Sequence, residues 1–189
     1  VSVSNFNNDN LVKYNVNFKE NNIVVIGHID KNKNHELLLE SLKKIKFKSK
    51  WNLYFIKIFN DFDKQINSVD NLNIFFTPIY DKVKLYDLLN KSKIFCHTSN
   101  FEDPLVQYEA MYYLYCVSTD CTIRENYPDF FSKISRIDIK NYSINLQETL
   151  NYFDFNKYVE DSEKCSRYCI ENFLWNKTTL NLINKIKQK

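Results

Sequence analysis

Short, unbroken apolar runs alternate with segments of helical period along most of this chain. The runs NIVVIGHI (Asn22 to Ile29), WNLYFIKIF (Trp51 to Phe59), LNIFF (Leu72 to Phe76) and KIFCHTS (Lys93 to Ser99) are rich in β-branched and aromatic residues and read as strands. HELLLESLKKI (His35 to Ile45) sets Leu38, Leu39, Leu42 and Ile45 at helical spacing. DKVKLYDLLNKS (Asp81 to Ser92) opens on an N-cap type of residue and carries Val83, Leu85, Leu88 and Leu89, so it reads as a helix. PLVQYEAMYYL, from Pro104, reads as the next helix, YCVSTD (Tyr115 to Asp120) as a short strand and SRIDI (Ser135 to Ile139) as a weaker one. From about Phe155 the tail is helical, with an interruption near Phe173 to Trp175.

Strands that alternate with helices build a parallel sheet, because each crossover returns the chain to the same edge. Runs that are apolar throughout, rather than at every second residue, call for burial on both faces. The expected fold is therefore α/β: a doubly wound, Rossmann-like, mostly parallel sheet with helices on both faces. A chain of 189 residues suits one domain. Residues 1–20 read as a linker or leading segment, and residues 21–189 as the domain with its C-terminal helices. The chain starts VSVSNFNNDN, without methionine, which suggests a piece of a longer protein.

Composition excludes some functions. The formal net charge is +3 with the lysines spread out, so nothing points to nucleic acid. The densest cluster, KKIKFKSK (Lys43 to Lys50), reads either as a solvated helix end or as a surface attracted to anionic lipid. The 5 cysteines are odd in number and form no CxxC, which fits free thiols in a reducing, cytoplasmic compartment. Cys165 and Cys169 share a helix face as core or surface residues rather than as metal ligands. DFD (Asp61 to Asp63) reads as part of a loop, and no metal site is expected. No apolar run approaches the roughly 18 residues of a membrane span, and no stretch reads as a signal peptide.

Two stretches carry chemistry, and each follows a strand, on the edge where doubly wound sheets bind ligands. In HTSNFEDPLVQYEAMYY (His97 to Tyr113), Asp103 before Pro104 is a helix start: an N-cap acceptor, then proline at the first helical position. The N–H groups and positive dipole end of such a helix suit a phosphate. Glu109 follows among Leu105, Val106, Ala110 and Tyr113, where a charge needs hydrogen bonds. A ribose diol could supply two donors; alternatively Glu109 is a surface residue and Asp103 only a cap. In GHIDKNKNHELLL, Gly27 and His28 end the first strand, and Lys33 lies in the turn before the next helix. A cation facing a helix N-terminus makes a plausible diphosphate clamp. Lys33 as a solvated loop lysine and His28 as a packed strand end are the other readings.

These segments, in this order, resemble the C-terminal, nucleotide-sugar-binding domain of GT-B glycosyltransferases of group 1, or family 4. VVIGHIDKNKNHELLLESL is similar to the family's first strand and turn, TSNFEDPLVQYEAM to its glutamate motif, YCVSTD to the strand that follows, and CIENFLWNKTTLNLINKI to its closing helix. The resemblance implies that Gly27 and the backbone around it approach the donor, and that Lys33 contacts the donor diphosphate. His28 stands where an arginine is usual. Backbone N–H groups of Leu105 and Val106 would meet phosphate oxygens beside Asp103, and Pro78 and Ile79 would line the base. Glu109 would hold the ribose, and Glu102 would lie near the transferred sugar as the catalytic residue. Glu102 and Glu109 stand one residue closer together than the family's pair.

The resemblance implies no cofactor and no metal. The donor substrate would be a nucleoside-diphosphate sugar, and transfer would retain configuration at the anomeric carbon. The acceptor would be held by a missing N-terminal domain, without which this domain would be inactive. The full-length protein would be cytoplasmic, with possible peripheral membrane contact. The alternatives are a degenerate domain that keeps the fold as a non-catalytic nucleotide-binding or interaction module, and an unrelated doubly wound regulator.

Overall fold

The computed structural model describes residues 19–27, 33–56, 69–79, 81–98, 110, 112–113, 115–119, 132–134, 139–151, 155–173, 184 and 187. Six strands are present among them: β1 (Glu20–Ile26), β2 (Trp51–Ile56), β3 (Leu72–Thr77), β4 (Ser92–His97), β5 (Tyr115–Thr119) and β6 (Ser132–Ile134). Four helices accompany them: α1 (His35–Lys44), α2 (Lys82–Lys91), α3 (Ile139–Asn151) and α4 (Phe155–Phe173). The strands form one sheet in the order β3-β2-β1-β4-β5-β6, and every neighbouring pair is parallel. This is the doubly wound α/β fold that the alternation of apolar runs and helices implies.

Ile23, Val24 and Val25 of β1 are all buried, so both faces of the central strand are covered. One face packs Ile23, Leu53 and Phe55 against Leu38 and Leu42 of α1 and Tyr142, Leu146 and Leu150 of α3. Phe55 also stacks on Phe76, with ring centroids 5.3 Å apart. α2 lies against β1 and β4 and buries Leu85, Tyr86 and Leu89. Its start is the one read from the sequence. The Asp81 carboxylate accepts from the backbone N–H of Val83 at 2.8 Å and of Lys84 at 3.4 Å, two donors the helix itself cannot satisfy.

The last strand departs from expectation. Among the described residues the pairing with β5 involves Ser132–Ile134, and Ile139 already begins α3, while residues 135–138 of the SRIDI run lie outside the described residues. The sequence reading assigned no helix at α3. Its stretch YSINLQETLN mixes good helix formers such as Leu146, Gln147 and Glu148 with Tyr, Ser, Ile, Asn and Thr of middling propensity. The informative signal was the spacing of Tyr142, Leu146 and Leu150, four residues apart each time. In the other helical tail, α4 reaches Phe173; residues 174 and 175 lie outside the described residues, as do Asp61 to Asp63.

The lysine-rich segment from the last turn of α1 onward is exposed on its lysines and pinned to the core. Lys43, Lys44, Lys46, Lys48 and Lys50 are exposed while Ile45 and Phe47 are buried. Side-chain amides hold its backbone: Asn151 donates to the Lys46 carbonyl at 3.0 Å, and Asn71 to the Phe47 carbonyl at 3.2 Å. Cys96 and Cys169 are buried free thiols. Burial pushes the Cys96 thiol up to about 12, and the neighbouring Tyr142 hydroxyl opposes that only in part. A thiol held neutral is a poor nucleophile, so Cys96 is a packing residue.

Lys19 enters the domain just before β1 with its amine buried. Nζ donates to the Tyr113 carbonyl at 2.5 Å and lies 3.5 Å from the Leu89 carbonyl. Burial lowers its pKa from 10.5 to about 7. Between those two values the unfolded chain binds a proton that the folded chain does not, so this group makes stability rise with pH. Below about 7 the cost of burying the cation is present in full. Thermal unfolding followed from about pH 7 to 10 is expected to show this rise, and Lys19→Met is expected to flatten it. Parallel profiles for the two proteins would mean that the amine stays charged in the fold.

Candidate functional site

Strand order reverses between β1 and β4: the chain winds from β1 out to β3, then returns to β4 and continues to β6. Doubly wound sheets take their ligands at this switch point, outside the carboxyl ends of the strands. Gly27 follows the last residue of β1, and Thr98 follows the last residue of β4, so the two border it from either side.

Gly27 has φ +146°, a conformation that side-chain-bearing residues rarely adopt. Its N–H donates to the Ile56 carbonyl at 3.2 Å, which extends the β1–β2 ladder by one residue. The stem of Lys33 lies against Gly27: a Cβ at position 27 would stand 3.6 Å from Cε and 3.7 Å from Cδ of Lys33. The sequence has 1 glycine, and it occupies the strand end where the backbone needs it.

Lys33 is held from the other side as well. The Thr98 hydroxyl, itself buried, donates to the Lys33 carbonyl at 2.8 Å. This bond joins the turn before α1 to the end of β4, across the switch point. Asn34, next in the chain, takes a left-handed conformation with φ 50° as the cap of α1, one that asparagine tolerates better than most residues. The lysine is thus placed by a glycine beneath its stem, a threonine on its carbonyl and a left-handed asparagine that starts the following helix. Thr98 was not singled out in the sequence. A signal was available, since it is a hydroxyl residue at the end of a buried strand, where its O–H needs an acceptor.

The structure therefore brings Gly27 and Lys33 together. Pro78 and Ile79 follow β3 at the same edge of the sheet, with the Ile79 N–H donating to the Thr77 carbonyl at 2.9 Å. Pro78 is exposed and Ile79 half-buried. His28, Glu102, Asp103, Leu105, Val106 and Glu109 lie outside the described residues. Downstream of the glutamate motif, Ala110 and Tyr113 are helical and fully buried, and the Tyr113 ring packs 5.6 Å from that of Tyr86 in α2. Among the described residues no group of three or more His, Cys, Asp or Glu could hold a metal ion, and no helix is long and apolar enough to cross a membrane.

An open parallel sheet with a glycine turn and a braced lysine at its switch point has the architecture of the C-terminal domain of a GT-B glycosyltransferase. The family model for glycosyl transferases group 1 matches residues 7–125, and the chain belongs to that family. Among solved structures it is similar to the C-terminal domain of LpcC, a glycosyl transferase group 1 family protein from Francisella tularensis. That match has 16% identity and a TM-score of 0.68 and covers 93% of this chain and 99% of that one. The catalytic domain of cholesterol-alpha-glucosyltransferase from Helicobacter pylori matches at 15% identity and TM-score 0.66, over 79% of this chain and 97% of that one. Sucrose-phosphate synthase from Thermosynechococcus elongatus matches at 15% identity and TM-score 0.73, over 89% of this chain and 45% of that one. The chain thus spans under half the length of that synthase. Identities this low establish a shared fold. Comparison with curated protein sequences gives no match.

The backbone at position 27 is where a substitution should be felt. Gly27→Ala is expected to lower stability by about 1–3 kcal/mol, because the new side chain must hold an unfavourable φ even though its Cβ would have room beside Lys33. Urea denaturation checks this; an unchanged midpoint would show that the turn relaxes without strain.

Proposed function

We propose that this domain binds the nucleoside-diphosphate sugar donor of a glycosyltransferase, which passes the sugar to an acceptor held by a separate N-terminal domain. The observation that carries the reading is Lys33, fixed between Gly27 and Thr98 at the switch point of a group 1 glycosyltransferase sheet. Breaking the bond between sugar and diphosphate leaves negative charge on the departing phosphate. A preorganised cation and aligned N–H donors stabilise that charge more in the transition state than in the ground state. A lysine whose stem and backbone are both braced needs little rearrangement to do this.

The remaining roles follow the resemblance. The helix start at Asp103 and Pro104, with the N–H groups of Leu105 and Val106, receives the phosphate oxygens. Glu109 takes the ribose hydroxyls, and Glu102 lies by the transferred sugar. His28 supplies a partial charge where relatives carry arginine. Pro78 and Ile79 flank the base at the end of β3. Transfer retains configuration at the anomeric carbon and requires the N-terminal domain, so the domain alone binds donor without turning it over. The full-length protein works in the cytoplasm, with peripheral contact to a membrane.

Calorimetric titration with UDP and GDP in the presence of a chelator tests the donor site. Saturable binding of at least one is expected, and Lys33→Ala is expected to weaken it by about 1.5–3 kcal/mol, the range for a hydrogen bond to a charged group. Absence of heat with both nucleotides at millimolar concentration would refute the reading.

Glu109 separates ribose from phosphate recognition. Glu109→Gln is expected to weaken nucleoside diphosphate binding by roughly 1.5–3 kcal/mol and to leave inorganic pyrophosphate binding unchanged. Its thermal midpoint should hold or rise, since a carboxylate kept for a ligand contributes little to the fold. Unfolding of this variant would instead make Glu109 a structural residue.

A further inference from the structure

The flank of the sheet carries a second group of side chains, away from the strand ends that border the switch point. Register sets Asn22, Asn52 and Asn73 side by side across β1, β2 and β3. Their amides form a continuous row. Asn73 donates to the Asn52 side-chain carbonyl at 3.0 Å, Asn52 to that of Asn22 at 2.9 Å, and Asn22 to the Glu20 carboxylate at 3.1 Å. Two residues further along, on the same face, stand Val24, Tyr54 and Phe75. The rings of Tyr54 and Phe75 stack with centroids 5.0 Å apart and planes 17° apart. The Tyr54 hydroxyl titrates above its ordinary range because of burial and then of the charge on Glu20, which relates the inner end of the aromatic row to the carboxylate.

Cover on this face fades toward the edge of the sheet. Asn22 and Val24 are buried beneath the helical layer, Asn52 and Tyr54 are half-buried, and Phe75 on the edge strand β3 is 41% exposed. The result is a ledge with an open aromatic ring, an amide beside it, and a phenol and a carboxylate farther in. Fold stability alone gives little reason for it. Asparagine is depleted in strands, and three amides taken partly out of water contribute less than three aliphatic side chains would. The ladder uses one donor of Asn73; among the described residues, no protein group is recorded on its side-chain carbonyl.

We propose that this ledge is a binding site for neutral carbohydrate, separate from the donor site. A pyranose ring has an apolar C–H face that suits the outer face of Phe75 and a rim of hydroxyls that suits the paired donors and acceptors of amides and a carboxylate. Charge selects against an anion here. Glu20 is the acidic residue of the row, and the amine of nearby Lys91 is engaged by Asp87 at 2.7 Å. A ledge of this size takes one or two rings of a longer glycan and would keep a polymeric acceptor or product close to the enzyme. The inference does not depend on donor binding at Lys33.

The test is a titration of the whole chain with maltotetraose, cellotetraose, mannotetraose and a neutral galactan tetrasaccharide, followed by nuclear magnetic resonance at the side-chain amides of Asn52 and Asn73. Saturable shifts with at least one of them are expected. Phe75→Ala and Asn73→Ala should each weaken that binding about tenfold, the loss of roughly 1.4 kcal/mol for one principal contact. Phe75→Tyr should preserve it, and saturating UDP should leave it unchanged. Lack of saturable shifts with all four sugars, full binding by Phe75→Ala, or displacement of the sugar by UDP would each overturn the proposal. Displacement by UDP would move the sugar to the donor site, so failure here is distinct from failure of the nucleotide titration.

Discussion

The central strand β1 must pair its backbone on both edges and bury its side chains on both faces, and the rest of the domain follows from that requirement. Its neighbours β2 and β4 are both parallel to it, so each is reached by a crossover that lays chain on one face or the other. Because the chain winds outward on one side of β1 and then returns on the other, the two crossover directions diverge at the β1–β4 junction. The candidate site lies at this junction, where doubly wound sheets leave strand ends uncovered by their own connections.

The demands of that junction explain several residues at once. A chain leaving β1 must turn abruptly while the backbone stays close to its neighbours, and Gly27 meets this with a φ that other residues resist. The stem of Lys33 lies beside it, at ordinary contact distance from where a Cβ would stand. Thr98 then converts a buried hydroxyl, which needs an acceptor in any case, into a fastening on the lysine's backbone. Packing and hydrogen-bond satisfaction are met by the same three residues, and the proposed donor chemistry would use the lysine they hold. A mobile surface lysine would carry the same charge, but its ordering would have to come from the ligand.

The two proposed sites would use opposite physics. At the switch point the braced Lys33 would offer a cation to the negative charge of the proposed donor. On the flank, amides, a phenol and an aromatic ring are spread over a face with one carboxylate, so shape and hydroxyl matching dominate. Both rest on one sheet and share β1, and the stiffness of that sheet keeps the two sets of groups in register with each other.

Much of this was legible in the sequence because it is local. Apolar runs without alternation require a sheet buried on both faces, and their alternation with helical stripes requires parallel strands. The single glycine at a strand end and Asp81 as an N-cap are equally local, since a turn and a helix start each need particular residue types within a few positions. What lay beyond the sequence is what long-range pairing decides. α3 was missed because its mixed propensities hide a helix that the core cluster around Leu146 stabilises from outside. The hold of Thr98 on Lys33 spans 65 residues, and the burial of Lys19 against the Tyr113 carbonyl spans 94. The asparagine row exists only because three strands share one register. Composition and periodicity specify which segments become strands and helices, whereas the choice of neighbours and their alignment depends on how crossovers close over the sheet, so these contacts appear only in the tertiary structure.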